Sequence, residues 1–168
     1  MKSMKRIALS AMLTIGAFGA VTYTACNKDE CKDVVCLNGG TCSGGNCSCQ
    51  AGYEGNRCET LSITKFVKVW SAADQIGSTN LVYTTTIAPG PTATSATISN
   101  SFSDDFFANT IAATVNGNTI TIADQKPDAN GDYRVQGSGT YQSGKINWSY
   151  SITQISTGSI QNYTGTWQ

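Results

Sequence analysis

Seven cysteines are the residues of this chain whose type and spacing best suit chemistry. Cys26 stands apart. Cys31, Cys36, Cys42, Cys47, Cys49 and Cys58 follow as C-x4-C-x5-C-x4-C-x-C-x8-C. An odd number in an exported chain suits six crosslinked thiols and one thiol left for another use. The chain has no histidine, so the commonest general base is absent and a mixed Cys/His zinc site is excluded. Asp104-Asp105 and Asp124 are carboxylates in or near turns, and Ser143 with Lys145 sits where hairpin tips favour such types. None of these forms a catalytic set, so no enzyme activity and no catalytic residue are expected.

The elements before the cysteines set their compartment. Lys2, Lys5 and Arg6 precede an uncharged run over 7–21. A spanning helix needs about 20 apolar residues, so the run has the proportions of a signal-peptide core. Thr24-Ala25 then leads into Cys26. This arrangement resembles the lipobox of bacterial lipoproteins, which implies cleavage before Cys26 and lipidation of its sulfur and amine. Two or more acyl chains anchor a protein stably without spanning. Lys28-Asp29-Glu30 resembles the export signal that carries some Bacteroidota lipoproteins to the outer face of the outer membrane. The resemblance implies a bacterial outer-membrane, cell-surface protein whose partner through the anchor is the membrane.

The six later cysteines allow fifteen pairings, among which spacing alone does not choose. The block "CKDVVCLNGGTCSGGNCSCQAGYEGNRC" resembles an epidermal-growth-factor-like (EGF-like) module over its whole length. "CSCQAGYEGNRC" carries the family's closing motif, with Gly52, Tyr53 and Gly55 before Cys58. The resemblance implies bonds Cys31–Cys42, Cys36–Cys47 and Cys49–Cys58. A module under about 30 residues cannot bury enough apolar surface to fold without crosslinks. Asn27, Asp29 and Glu30 fit the start of a calcium-binding variant, but Gly44 stands where that variant needs Asp or Asn. Half of a six-to-eight-oxygen cage is then missing, and no metal or cofactor is expected.

Residues 61–168 carry no cysteine and little charge, and Thr, Ser, Ile, Asn, Gly and Tyr dominate. Asn116-Gly117 is a two-residue turn signal. Folding about it pairs Val115 with Asn118, Ala113 with Ile120, and Ile111 with Ile122. Ser143-Gly144 turns a second hairpin, pairing Tyr141 with Ile146, Gly139 with Trp148, Gly137 with Tyr150, and Val135 with Ile152. Each bare glycine then lies opposite a ring that covers it, and Trp148 and Tyr150 are expected in the core. Further strands are expected over 63–70, 81–88, 94–102 and 159–167. "SDDFFAN" at 103–109 reads as a loop or as one helical turn capped by Ser103. The expected fold is a small disulfide-rich EGF-like module plus an all-β domain, an antiparallel eight-stranded barrel or alternatively a β-sandwich. "VNGNTITIADQ" and "GSGTY" resemble the lipocalin-like or calycin-like barrels of exported Bacteroidota proteins. Lipocalins carry Gly-x-Trp on the first strand, whereas here Gly165-Thr166-Trp167 is on the last. The expected division is a leader over 1–25, a lipidated tether over 26–30, the EGF-like module over 31–58 and the β-domain over 61–168.

Removal of Lys2, Lys5 and Arg6 with the leader leaves eight basic residues against eleven acidic ones, a net charge near −3. No basic stripe offers itself to phosphates, so nucleic acid is not an expected partner. Two functions remain. One is a non-catalytic stalk that presents the β-domain to a protein or glycan. The other is carriage of a small apolar ligand in a barrel cavity, which a barrel this small fills with its own side chains.

Overall fold

The computed structural model describes residues 30–168. Cys26, Lys28 and Asp29, with the leader, lie outside the described residues. Glu30 is the first described residue and is exposed.

The disulfide-rich segment is held by Cys31–Cys42, Cys36–Cys47 and Cys49–Cys58, the pairs that the EGF-like resemblance implies. Strands β1 (Thr41–Ser43) and β2 (Asn46–Ser48) form a hairpin turned by Gly44-Gly45, both at positive φ. Strands β3 (Tyr53–Glu54) and β4 (Thr60–Leu61) form a second small ladder. Cys58 is fully buried. In a segment this small, crosslinks take the place of an apolar core.

A 3₁₀ turn, Ser62–Lys65, leads from β4 into the barrel. Eight antiparallel strands follow: β5 (Lys68–Ile76), β6 (Thr79–Pro89), β7 (Ser95–Ile98), β8 (Ile111–Asn116), β9 (Thr119–Gln125), β10 (Tyr133–Gln142), β11 (Lys145–Gln154) and β12 (Ile160–Trp167). Each pairs with the next, and β12 returns to β5, so the sheet closes and no edge remains. The barrel, not the sandwich, is the architecture.

Inward residues alternate along every wall, as a closed antiparallel sheet requires. Trp70, Trp167, Ile87, Ile98, Ile111 and Ile120 are fully buried. The β10–β11 register matches the sequence reading pair for pair, with Gly137 opposite Tyr150 and Gly139 opposite Trp148. Ser143 and Gly144 both adopt positive φ, as a type I′ turn needs.

The β8–β9 register corrects the expectation by two residues. Val115 pairs with Ile120 and Asn116 with Thr119. Gly117, rather than Asn116, takes the positive φ, at the first central position of the turn. A two-residue shift preserves which side chains face inward, so Ile111, Ala113, Val115, Ile120 and Ile122 stay buried. The strand expected over 63–70 is instead the 3₁₀ turn followed by β5 to Ile76. The strand expected over 94–102 stops at Ile98.

The two ends of the barrel differ. One holds the β6–β7 loop, the β8–β9 and β10–β11 tips and the start of β5. The disulfide-rich segment is joined here. Ser62 N donates to Gly52 O at 2.8 Å, and Lys65 Nζ reaches Glu54 Oε2 and Asn118 Oδ1, each at 2.7 Å. Gly52 has φ +91°, and a Cβ on it would meet Ala93 O at 2.9 Å. The opposite end carries the β5–β6 turn and the β7–β8, β9–β10 and β11–β12 loops.

Candidate functional site

The sequence left Asp74 unremarked, yet it lies at the centre of the barrel's polar chemistry. On β5 it shares the inward parity of Trp70, Ala72 and Ile76, and it is 1% exposed. Tyr83 on β6 and Tyr150 on β11 both donate their hydroxyls to Oδ2, the latter at 2.7 Å. Trp167 Nε1 donates to Oδ1 at 2.9 Å. Tyr150 OH also lies 3.2 Å from Ser103 Oγ. Burial, then the Asp74 charge, pushes the Tyr83 hydroxyl far above the ordinary tyrosine range. Burial, then Tyr83 and Asp74, does the same to Tyr150. Both phenols therefore stay donors across the accessible pH range. Three donors on one buried carboxylate form a satisfied network that ties four strands, β5, β6, β11 and β12, to one another.

The interior beside this network is filled from a loop. Phe102, between β7 and β8, is fully buried, with its ring centroid 4.8 Å from Tyr150, 5.8 Å from Trp167 and 6.4 Å from Trp148. Of the two expectations for 103–109, a loop or one helical turn, the loop is found, and it opens in the left-handed region: Ser103, Asp104 and Asp105 have φ of 54°, 61° and 59°. L-residues pay roughly 1–2 kcal/mol each for that conformation. Burial of Phe102 and Phe107 on either side holds the turn in place. Trp148 Nε1 is buried without a hydrogen-bond partner among the described residues.

The same loop forms an exposed rim at the barrel end opposite the disulfide-rich segment. Phe106 is 37% exposed and packs edge-on against Tyr133, which is 36% exposed, at 4.9 Å between centroids. Ile155, just after β11, and Ile160, which opens β12, are at the same end of the barrel, 44% and 60% exposed. Phe106, Tyr133, Ile152, Gln154, Ser159 and Gln161 line a small recess of about 130 Å³ between them. Carboxylates pin the loops that carry the rim. Asp128 accepts from Ala108 N at 3.1 Å and Asn109 N at 3.0 Å, and Asp132 accepts from the Ser156 hydroxyl and from Ser156 N, the latter at 2.9 Å. These bonds hold both carboxyls below the usual carboxylate range.

Residues singled out in the sequence fall elsewhere. Asp104 and Asp105 are exposed on the left-handed turn. Asp124 is paired with Arg134 on the outer wall, at 2.5 Å. Ser143 and Lys145 occupy the β10–β11 tip, at the opposite end from the rim. The structure brings none of these together. Gly165 gains a role that its motif did not reveal: it faces Asp74 across the β12–β5 ladder, and a Cβ there would collide with Asp74 Oδ1. Among the described residues no group of three or more His, Cys, Asp or Glu could hold a metal ion.

A scan against protein-family models finds no match, and a search of curated proteins finds no relative.

Proposed function

We propose that the protein is a non-catalytic binding protein, lipid-anchored through Cys26, which presents the Phe106–Tyr133 end of its barrel to a protein partner. The observation that carries this reading is the placement of the rim. The anchor precedes the disulfide-rich segment, that segment joins one end of the barrel, and the exposed rings and isoleucines cluster at the other. A tethered module meets a partner with the end farthest from its tether. The rim mixes aromatic rings with branched aliphatic chains, which suits the apolar anchor of a protein surface. Isoleucine side chains offer a glycan neither a hydrogen bond nor a ring face.

Lys28-Asp29-Glu30 supports the surface part of the reading through its likeness to an export signal. Labelling with a fatty-acid analogue is expected to mark the wild type and not Cys26→Ser. Replacement of Lys28, Asp29 and Glu30 by Ala is expected to keep the label but protect the protein from external protease. Equal labelling of Cys26→Ser would remove the anchor from the account, and unchanged digestion of the triple variant would reduce the stretch to a tether.

One observation favours carriage of a small apolar ligand as a second reading. Trp148 Nε1 is a buried donor without an acceptor, next to a ring supplied by a loop. If Phe102 yields its place to a ligand, the Trp148 indole N–H resonance moves when wild-type protein is titrated with small aromatic acceptors such as quinoline. A resonance that stays fixed argues for a permanently filled barrel.

A further inference from the structure

The barrel's charge is sorted by end, and the rim lies at the acidic one. Asp104 and Asp105 stand on the β7–β8 loop, Asp124 near the end of β9, and Asp128 and Asp132 between β9 and β10. These are all the solvent-facing carboxylates of residues 62–168, since Asp74 is buried in the interior. Only Lys126 and Arg134 share that end, and Arg134 is paired with Asp124. Five carboxylates against two cations leave a formal charge near −3 there. Lys65, Lys68 and Lys145 sit at the other end, where the disulfide-rich segment joins.

The carboxylates border the apolar rim closely. Asp105 immediately precedes Phe106, and Asp132 immediately precedes Tyr133. Phe106 and Tyr133 are the two rings that line the recess of about 130 Å³. Asp104 and Asp105 make no side-chain hydrogen bond or ion pair among the described residues, so their charge is open to a partner. Arg134, the Ala108 amide and the Ser156 hydroxyl hold Asp124, Asp128 and Asp132 below the usual carboxylate range, and these three stay ionised at neutral pH.

Small-molecule sites run to roughly 300–1,000 Å³, so the recess has room for a side chain and not for a whole ligand. Its rings offer an apolar anchor point, and the acidic border selects by sign. An acidic protein, a nucleic acid or an anionic lipid surface is repelled. Insertion of the rings into a bilayer would draw Asp105 and Asp132 from water with them, which is costly. A segment that carries one aliphatic side chain between lysines or arginines meets both features at once.

We infer that the partner of the rim is a basic protein segment, which seats an aliphatic side chain in the recess beside Phe106 and Tyr133 and sets its lysines or arginines against Asp104, Asp105 and Asp132. This rests on the reading of the rim as the binding end and adds the partner's chemistry to it.

The probes are three capped peptides: one leucine between two pairs of lysines, the same with glutamates for the lysines, and the first with serine for the leucine. Each is titrated at millimolar concentration into the full chain carrying Cys26→Ser, and amide chemical shifts are followed. The lysine–leucine peptide should shift the amides of Phe106, Tyr133 and Ser159 and leave Ser143 and Lys145 unmoved. The glutamate peptide should shift none of them, and the serine peptide should bind roughly tenfold more weakly. Asp104→Asn with Asp105→Asn keeps residue types that tolerate the left-handed region and should weaken the lysine–leucine peptide roughly threefold or more. High salt should weaken it as well. A rim unmoved by the lysine–leucine peptide overturns the inference. So do equal shifts from the lysine and glutamate peptides, equal binding of the leucine and serine peptides, or an Asn variant that binds like wild type. Rim shifts that appear when the protein alone is concentrated would seat a second copy there instead. A photo-crosslinking amino acid at position 160 separates the two readings in cells. A protein adduct lost in the Asn variant supports the inference. An adduct that survives in it keeps the rim as the binding end and removes the basic partner, and the absence of any adduct removes both.

Discussion

Gly165 on β12 and Asp74 on β5 are cross-strand partners, and the missing side chain at 165 is the space that the Asp74 carboxylate occupies. Trp167, two residues on, donates its indole N–H to that carboxylate at 2.9 Å. A glycine and a tryptophan thus serve one buried carboxyl group, the first by giving room and the second by donating a hydrogen bond. Gly165→Ala should drive the carboxylate from its three donors and cost about 3 kcal/mol or more, since overpacking and broken charge-assisted bonds add. Trp167→Phe keeps a ring and removes one donor, and should cost about 1–3 kcal/mol. Urea unfolding measures both. A Gly165→Ala variant as stable as wild type would show that Asp74 has other room.

Gly139 makes a second close approach. A Cβ there would lie 2.6 Å from Ile146 Cγ2 and 2.8 Å from Trp148 Cδ2. Gly139→Val should therefore destabilise despite valine's strand propensity, because overpacking typically costs about 1–3 kcal/mol and the propensity scale spans about 1 kcal/mol. Ser138→Val, on the exposed outer face, should be near neutral. Stabilisation by Gly139→Val in urea would contradict the packing.

These two glycines also mark what the sequence discloses. The β10–β11 register was legible because bare glycines at alternate positions demand rings opposite them, and only one register supplies Trp148 and Tyr150. In the β8–β9 hairpin the alternation named the buried face, but Asn116-Gly117 pointed to the wrong central pair. β5 was misplaced because a carboxylate at an inward position breaks the apolar alternation. Its partners Tyr83, Tyr150 and Trp167 lie on three other strands, beyond the reach of local pattern. The rim depends on which loops the closed sheet brings together, so no single stretch announces it.

Lys65 ties the two parts of the chain. Its side chain is 15% exposed, and its charge meets Glu54 and Asn118. A fragment over 61–168 keeps every barrel strand and loses Glu54. It should melt cooperatively and ignore reductant, but be less stable than the full chain by about 1–3 kcal/mol. Lys65→Met should recover part of that loss in the fragment and none in the full chain. A fragment that fails to fold, with or without Lys65→Met, would make the disulfide-rich segment part of the barrel's folding unit.

Acid should loosen the rim before it unfolds the barrel. Asp128 and Asp132 have carboxyls held below their ordinary range by bonds from Ala108, Asn109 and Ser156. A depressed folded value contributes stability above the unfolded value and loses it as pH falls through the folded one. The loops should keep their order at neutral pH and lose it below about pH 4. Amide shifts of Ala108 and Ser156 followed against pH report the two loops separately. Asp128→Asn should abolish the acid step at Ala108 and preserve it at Ser156. A step at Ala108 that survives in the variant would sever the link.

The most direct measurement places a photo-crosslinking amino acid at single positions of the protein in its own cells. Position 160 stands on the rim, position 145 at the tip beside the disulfide-rich segment, and position 71 on the wall between. The account predicts one discrete protein adduct from position 160, lost on Phe106→Ser with Tyr133→Ser, and none from 145. Adducts from position 145 or 71 with none from 160 would contradict it, and the rim would then be only the closed end of a barrel.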